Sequence, residues 1–162
     1  MGTHTGTHLD VPSHIIDGAK STNDFSLDSF AGRTIKINTK SLNDISKFNE
    51  KYEGVIFETG WYKKYNDPSI YFGRERPPIP YALIEILIKK QIKFFCCDLP
   101  SVDESGSKSK PIHNALLNSG IIIYESLTNL NELPILSPFQ FFGFPLSFMG
   151  LDGSPVRAVA LL

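Results

Sequence analysis

His4-Thr5-Gly6-Thr7-His8-Leu9-Asp10-Val11-Pro12-Ser13-His14 gathers three of the protein's four histidines, with a carboxylate among them, into one short segment. Imidazole and carboxylate at close spacing are the donors that a zinc- or manganese-class ion takes. A helix would put His4 and His8 on one face but turn Asp10 away from them. Gly6 and Pro12 disfavour a helix interior, and Thr3, Thr5 and Thr7 favour extended backbone. In an extended chain His4, Gly6, His8, Asp10 and His14 share one parity and face one way. His8 and Asp10 are then about 6–7 Å apart, close enough for one ion. His4 and His8 are about 13 Å apart on a straight strand, too far for two bonds of about 2 Å. The segment must therefore bend, and Gly6 is the residue that permits it. Pro12 ends the strand and lets His14 fold back. The expectation is a metal-binding strand and turn, against the alternatives of a histidine-rich polar loop or the remnant of a tag.

These residues resemble the signature H-x-G-[TA]-H-x-D-x-P-x-H of the Putative cyclase and bacterial-type kynurenine formamidase family, and they match it at every fixed position. The resemblance continues through Gly54-Val-Ile-Phe-Glu-Thr-Gly-Trp61, Phe94-Phe-Cys-Cys-Asp-Leu-Pro-Ser-Val-Asp103 and Gly153-Ser-Pro-Val-Arg-Ala158. It implies an α/β domain over residues 1–162 with a swivelling β/β/α fold, a mixed sheet or partial barrel with helices packed outside. It places His113 and Glu125 where the family has its later metal ligands. Family members usually carry some tens of residues before the first histidine, so a missing first strand is expected here, from a natural short form, a truncation or a misplaced start.

On this reading His4, His8 and Asp10 hold a first ion; if two bind, Asp10 bridges and His113 and Glu125 complete the second site. Zinc is the expected metal, with manganese as the alternative and one or two ions per chain. His14 is the general acid/base candidate, in the role the family gives the histidine after the proline, with a ligand role left open. Asp98, Ser101 and Asp103 are expected to hold the strand end or to orient the metal-bound imidazoles. Trp61 lines the pocket or packs in the core. The implied reaction is hydrolysis of an amide, either an arylformamide of the N-formylkynurenine type or a small cyclic amide or lactone, by metal-activated water. A cyclase acting on a polyketide-like or cyclic substrate, and a catalytically inactive metal- or ligand-binding homologue, are the alternatives. No Gly-x-Ser-x-Gly elbow and no phosphate-binding glycine loop is present.

Composition bounds these readings. The 162 residues, 41% hydrophobic and 12% aromatic, suffice for a single globular core. A net charge of −1 leaves no electrostatic footprint for nucleic acid or an anionic membrane. The longest apolar runs are too short to span a bilayer, and no signal peptide is evident. Cys96 and Cys97 are adjacent, cannot staple to each other and fit a reducing compartment, so a cytoplasmic protein is expected. They read as two buried hydrophobes on opposite faces of a strand.

Strands are expected at 33–39 (half-exposed), 54–57, 92–97, 121–125 and 156–161, and helices at 41–51, 81–90 and 111–118. Ser41 is the expected cap of the first helix, with Leu42, Ile45 and Phe48 on one face. Residues 62–80 are irregular, with four prolines, and suggest a lid or a subunit contact. The phenylalanine-rich stretch 138–150 is expected in the core or at a homodimer contact, with a hydrophobic substrate pocket as the other reading. The expected partners are a small-molecule substrate and a second copy of the chain.

Overall fold

The computed structural model describes residues 1–45 and 51–162. Eight strands, β1 (His8–Asp10), β2 (Ala31–Asn38), β3 (Gly54–Glu58), β4 (Phe94–Cys97), β5 (Ile122–Glu125), β6 (Phe139–Phe142), β7 (Gly153–Pro155) and β8 (Val159–Leu161), form one mixed sheet. Its order is β7-β1-β5-β4-β3-β2-β6-β8. The central strands β5, β4, β3 and β2 are parallel, and β1, β7, β6 and β8 add antiparallel flanks. Helices α1 (Pro68–Tyr71), α2 (Tyr81–Lys89) and α3 (Pro111–Asn118) complete the fold. Among the described residues no helix is long and apolar enough to cross a membrane.

Strand spacing and chain length together require the sheet to curl. Laid flat, eight strands would separate β7 from β8 by roughly 34 Å. Residues 156–158 join them, and Pro155 to Val159 spans at most about 14 Å. The sheet therefore closes on itself as a half-barrel, with Pro145 bridging Val156 near the seam. Alternation sorts the side chains onto two faces. Val55, Phe57, Phe95, Cys97 and Ile123 pack outward against Leu83, Leu87, Leu116 and Leu117 of α2 and α3. Ile56, Phe94, Cys96, Tyr124 and Phe141 fill the concave side. The two cysteines thus face opposite ways, both buried and both free.

Several expectations are refined. β2 is largely buried rather than half-exposed, because β6 covers the flank that would otherwise be an edge. Its Lys36 is buried with its ammonium 2.9 Å from Glu58 Oε2 and 2.7 Å from the Leu130 carbonyl. Only a 3₁₀ turn, Leu42–Asp44, is seen of the helix expected at 41–51; Phe48 and the rest of its middle lie outside the described residues. The 62–80 stretch holds α1, which Asp67 caps by accepting hydrogen bonds from the Ser69 and Ile70 amides. The phenylalanine-rich segment divides: Phe139 and Phe141 enter the concave core as part of β6, while Phe144 and Phe148 are exposed. The closing strand expected at 156–161 is confined to β8 at Val159–Leu161, and β7, Gly153–Pro155, precedes it on the opposite flank.

Tyr124 ties the curl shut, since its buried hydroxyl donates to the Gly143 carbonyl 2.9 Å away, beyond the end of β6. Tyr124→Phe should lower stability by about 1–2 kcal/mol, the cost of leaving that carbonyl unpaired. A urea titration should show a lower midpoint at unchanged slope; an unchanged midpoint would show that the curl does not depend on this bond.

Candidate metal centre

The cluster is built where the carboxyl end of β5 meets β1. The β1–β5 register sets His8 opposite Glu125 and Asp10 opposite Ile123, so all three polar side chains take the helix-facing side of the sheet. Gly6 turns the preceding segment back with φ +66°, in the left-handed region, and brings His4 over Asp10. The 3₁₀ turn Pro12–His14 folds His14 toward the same point. α3 delivers His113 from its first turn.

Four groups form a closed ring. His8 Nδ1–H donates to the Gly6 carbonyl at 2.8 Å, which aims Nε2 at Asp10 Oδ1 (3.5 Å) and Glu125 Oε2 (3.4 Å). His113 Nδ1–H donates to Asp103 Oδ2 at 2.6 Å, which aims Nε2 at Asp10 Oδ2 and Glu125 Oε1, each at 3.4 Å. These four separations exceed the usual N–H···O hydrogen-bond range of about 2.7–3.2 Å. Two donors bound at about 2.1 Å to one tetrahedral ion lie roughly 3.4 Å apart. Asp10 Oδ2 is buried with no hydrogen-bond partner. An orphaned carboxylate oxygen facing imidazole nitrogens at ligand–ligand distances fits a divalent cation. Among the described residues three overlapping triads have ligand atoms within 4.8 Å of one another: His4, His8 and Asp10; Asp10, His14 and His113; His4, His14 and Asp152.

The second half of the cluster is more open. His4 contacts Asp10 Oδ1 through Nδ1 (2.6 Å) and Asp152 Oδ2 through Nε2 (3.0 Å). Asp152 Oδ2 also holds His14 Nδ1 at 2.9 Å, and Lys110 Nζ reaches His14 Nε2 at 3.2 Å. The structure thus brings His4, His8, Asp10, His14, His113 and Glu125 together. It groups His8 with His113 and Glu125, and His4 with His14, with Asp10 between the two.

Supporting groups are equally specific. Asp103 Oδ1 accepts from the Ile112 amide (2.8 Å) while Oδ2 takes the His113 amide and ring, so one carboxylate caps α3 and orients its histidine. Ser101 Oγ accepts from the Asp103 amide at 3.4 Å. Glu125 Oε1 accepts from the Val102 amide at 2.7 Å. The Asp98 carboxylate instead accepts from Thr59 and from the Tyr62 amide, and its side-chain hydrogen bonds stay within that turn. Trp61 is half-buried against the helix-side core, with Nε1–H donating to the Tyr71 carbonyl.

Asp152 and Lys110 escape a reading of the sequence. No spacing links residue 152 to residue 4; only the pairing of Gly153 with Asp10 brings it there. Gly153 is required by that approach, since a Cβ would stand 2.6 Å from His4 Cε1 and 2.7 Å from the Leu9 carbonyl.

Without a cation the acids are balanced by protons on the imidazoles. Burial lowers the His4 pKa, but Asp10 and Asp152 outweigh it and raise it to about 9. Burial also opposes the charge on His113, yet Asp10, Asp103 and Glu125 push it to about 11. His8 is raised in the same way, by Glu125 and Asp10. Asp10 is held well below the usual carboxylate range against its burial, chiefly by His113 and His4.

Comparison with known proteins places the chain among described relatives. The sequence profile of the family described as Putative cyclase matches residues 1–104. A kynurenine formamidase of Salinibacter ruber is 32% identical, the alignment covering 98% of this chain and 76% of that protein. An isatin hydrolase bound to the product analogue thioisatinate superposes with a TM-score of 0.86 at 25% identity, over 100% of this chain and 73% of that one. A "predicted metal-dependent hydrolase" from Bacillus stearothermophilus gives 0.76 at 25% identity, over 99% and 78% of the two chains.

A cation entering this ring must displace protons. His4 and His113 titrate above the usual imidazole value, so in the metal-free protein both are charged at pH 7 and lose their protons only as pH rises through about 9 and about 11. Zinc affinity should therefore climb with pH from 6 to 9, by roughly tenfold per unit for each proton released. Calorimetry at pH 7 in buffers of different ionisation enthalpy should show proton release on zinc uptake. Release of none would mean that these imidazoles are not the ligands.

Proposed function

This chain belongs to the Putative cyclase family, and we propose that it is a metal-dependent hydrolase that cleaves the C–N bond of an amide carried by an aromatic ring, as a linear formamide or a cyclic amide. One observation carries the reading: the ring of His8, Asp10, His113 and Glu125 around the unpartnered Asp10 oxygen. The names of the similar proteins, a kynurenine formamidase and an isatin hydrolase, support an amide as the bond broken. Imidazole and carboxylate donors suit zinc, or manganese as second choice. Cys97 lies on the same face of the sheet, but burial pushes its thiol pKa well up, and it donates to the Leu99 carbonyl rather than joining the cluster.

His8, Asp10, His113 and Glu125 would hold the ion, with His4 beside them for a second. Bound there, a divalent ion supplies a water of lowered pKa and a Lewis acid for the carbonyl oxygen. The chain's own residues do the rest. Asp103 fixes the His113 ring, and the Gly6 carbonyl fixes that of His8. Asp152 fixes His14 through Nδ1, which leaves Nε2 as the nitrogen that can take and return a proton. In hydrolysis Nε2 takes a proton as water adds to the carbonyl and delivers it to the departing amine nitrogen.

The test is a zinc-loaded protein assayed on formanilide, isatin and a neutral lactone. Turnover of an amide is expected, and failure on every amide with metal bound would overturn the reading. His14→Ala should cut kcat by about 10²–10⁴ while leaving bound zinc, measured by mass spectrometry, close to wild type. Equal loss of zinc would make His14 a ligand. Asp103→Asn should weaken zinc by about 10–100-fold, the usual cost of losing the partner that orients a ligand.

A further inference from the structure

Lys110 is the residue that the metal ring does not use. Lys110 is half-buried, and among the described residues its partner is an imidazole nitrogen, His14 Nε2 at 3.2 Å. Asp152 occupies the other nitrogen of that ring, so Nε2 carries the lone pair and Lys110 donates to it. A lysine gains most from an ion pair, and the four carboxylates of the cluster are engaged with other groups. Asp152 Oδ2 serves His4 and His14, Asp103 serves α3 and His113, Glu125 is bonded to the Val102 amide, and Asp10 faces the imidazoles.

The backbone that carries Lys110 is itself fixed. Lys110 has φ 41° and ψ 58°, the left-handed region, at a cost of roughly 1–2 kcal/mol for a residue with a Cβ. Pro111 follows it and disfavours the ordinary helical alternative. Asn114 fastens its carbonyl through both its amide and its side chain, each at 2.9 Å.

We propose that Lys110 forms an anion-binding subsite beside the reacting centre, so that this protein selects amide substrates carrying a carboxylate next to the bond that is broken. A group bound with its reacting atoms at His14 Nε2 lies within one contact of Lys110 Nζ. Its carboxylate replaces a neutral acceptor with a charged one, and His14 is freed for proton transfer as the ammonium turns to the anion. The identity of the bound group as an amide rests on the hydrolase reading; the subsite itself is tested without turnover.

The probes are benzoate and benzamide, which differ in charge but little in shape. Their equilibrium binding to the zinc-loaded full chain is measured by calorimetry for the wild type, Lys110→Met and Lys110→Arg. Benzoate should bind Lys110→Met at least tenfold more weakly, with most of its salt dependence gone, while benzamide shifts by less than twofold and zinc content stays the same. Lys110→Arg should recover most of the benzoate affinity. An unchanged benzoate affinity in Lys110→Met would show that the cation or the imidazoles hold the anion, and equal weakening of both probes would reduce Lys110 to a structural role; either overturns the inference. Charge-selective binding through Lys110 without hydrolysis of any amide would remove the hydrolase reading and leave the subsite standing.

Discussion

The short strand β1, inserted antiparallel between β5 and β7, is the constraint on which the rest depends. Three residues long, it pairs on both sides, so its register is fixed by two ladders at once. Shifting it by one residue would turn His8 and Asp10 to the concave face and Leu9 to the helix side. That slip would bury two charged groups among Ile122, Tyr124 and Phe94 and leave Leu9 against polar groups. The single apolar residue between two ligand-type residues thus selects the register, and the register assembles the cluster.

Much of this was legible because it is local. Parity within residues 4–14 shows which side chains share a face, and Gly6 and Pro12 mark where the path must turn. α3 and β5 are visible as an apolar helix broken at Ser119-Gly120 and an apolar run ending in Glu125, and their reversal returns His113 and Glu125 to one end. What escaped is what only pairing across the chain decides. β7 and β8 look like one closing strand, since nothing in residues 153–161 shows that the sheet between them curls through a full set of neighbours. Asp152 is invisible for the same reason. Asp98 and Asp103 stand alike at the end of one strand, yet one anchors the Thr59–Tyr62 turn and the other caps a helix.

The two faces of the sheet have separate tasks. The concave side opens on a cavity of about 510 Å³ lined by Ile56, Leu127, Leu130 and Phe141 among others, with none of the cluster's histidines in its wall. The helix side carries His8, Asp10, His113 and Glu125. Thr5 and Thr7, which have the opposite parity to His4 and His8, line the cavity instead, so one segment divides its side chains between the two.

This division implies where substrate selectivity has to reside. The ring positions come from β1, β5 and the first turn of α3, rigid elements packed on both faces, and they tolerate little change. Two loop segments reach the cluster: residues 103–110, whose Lys110 meets His14, and residues 59–67, whose Tyr65 is exposed. Tyr65 Oη stands 4.0 Å from where a Cβ on Gly6 would lie, so this loop reaches the turn between His4 and His8. Loops of this kind can change length and charge without disturbing the sheet. Under the hydrolase reading, a chain that kept the ring and altered the loops would keep its chemistry and change its substrate.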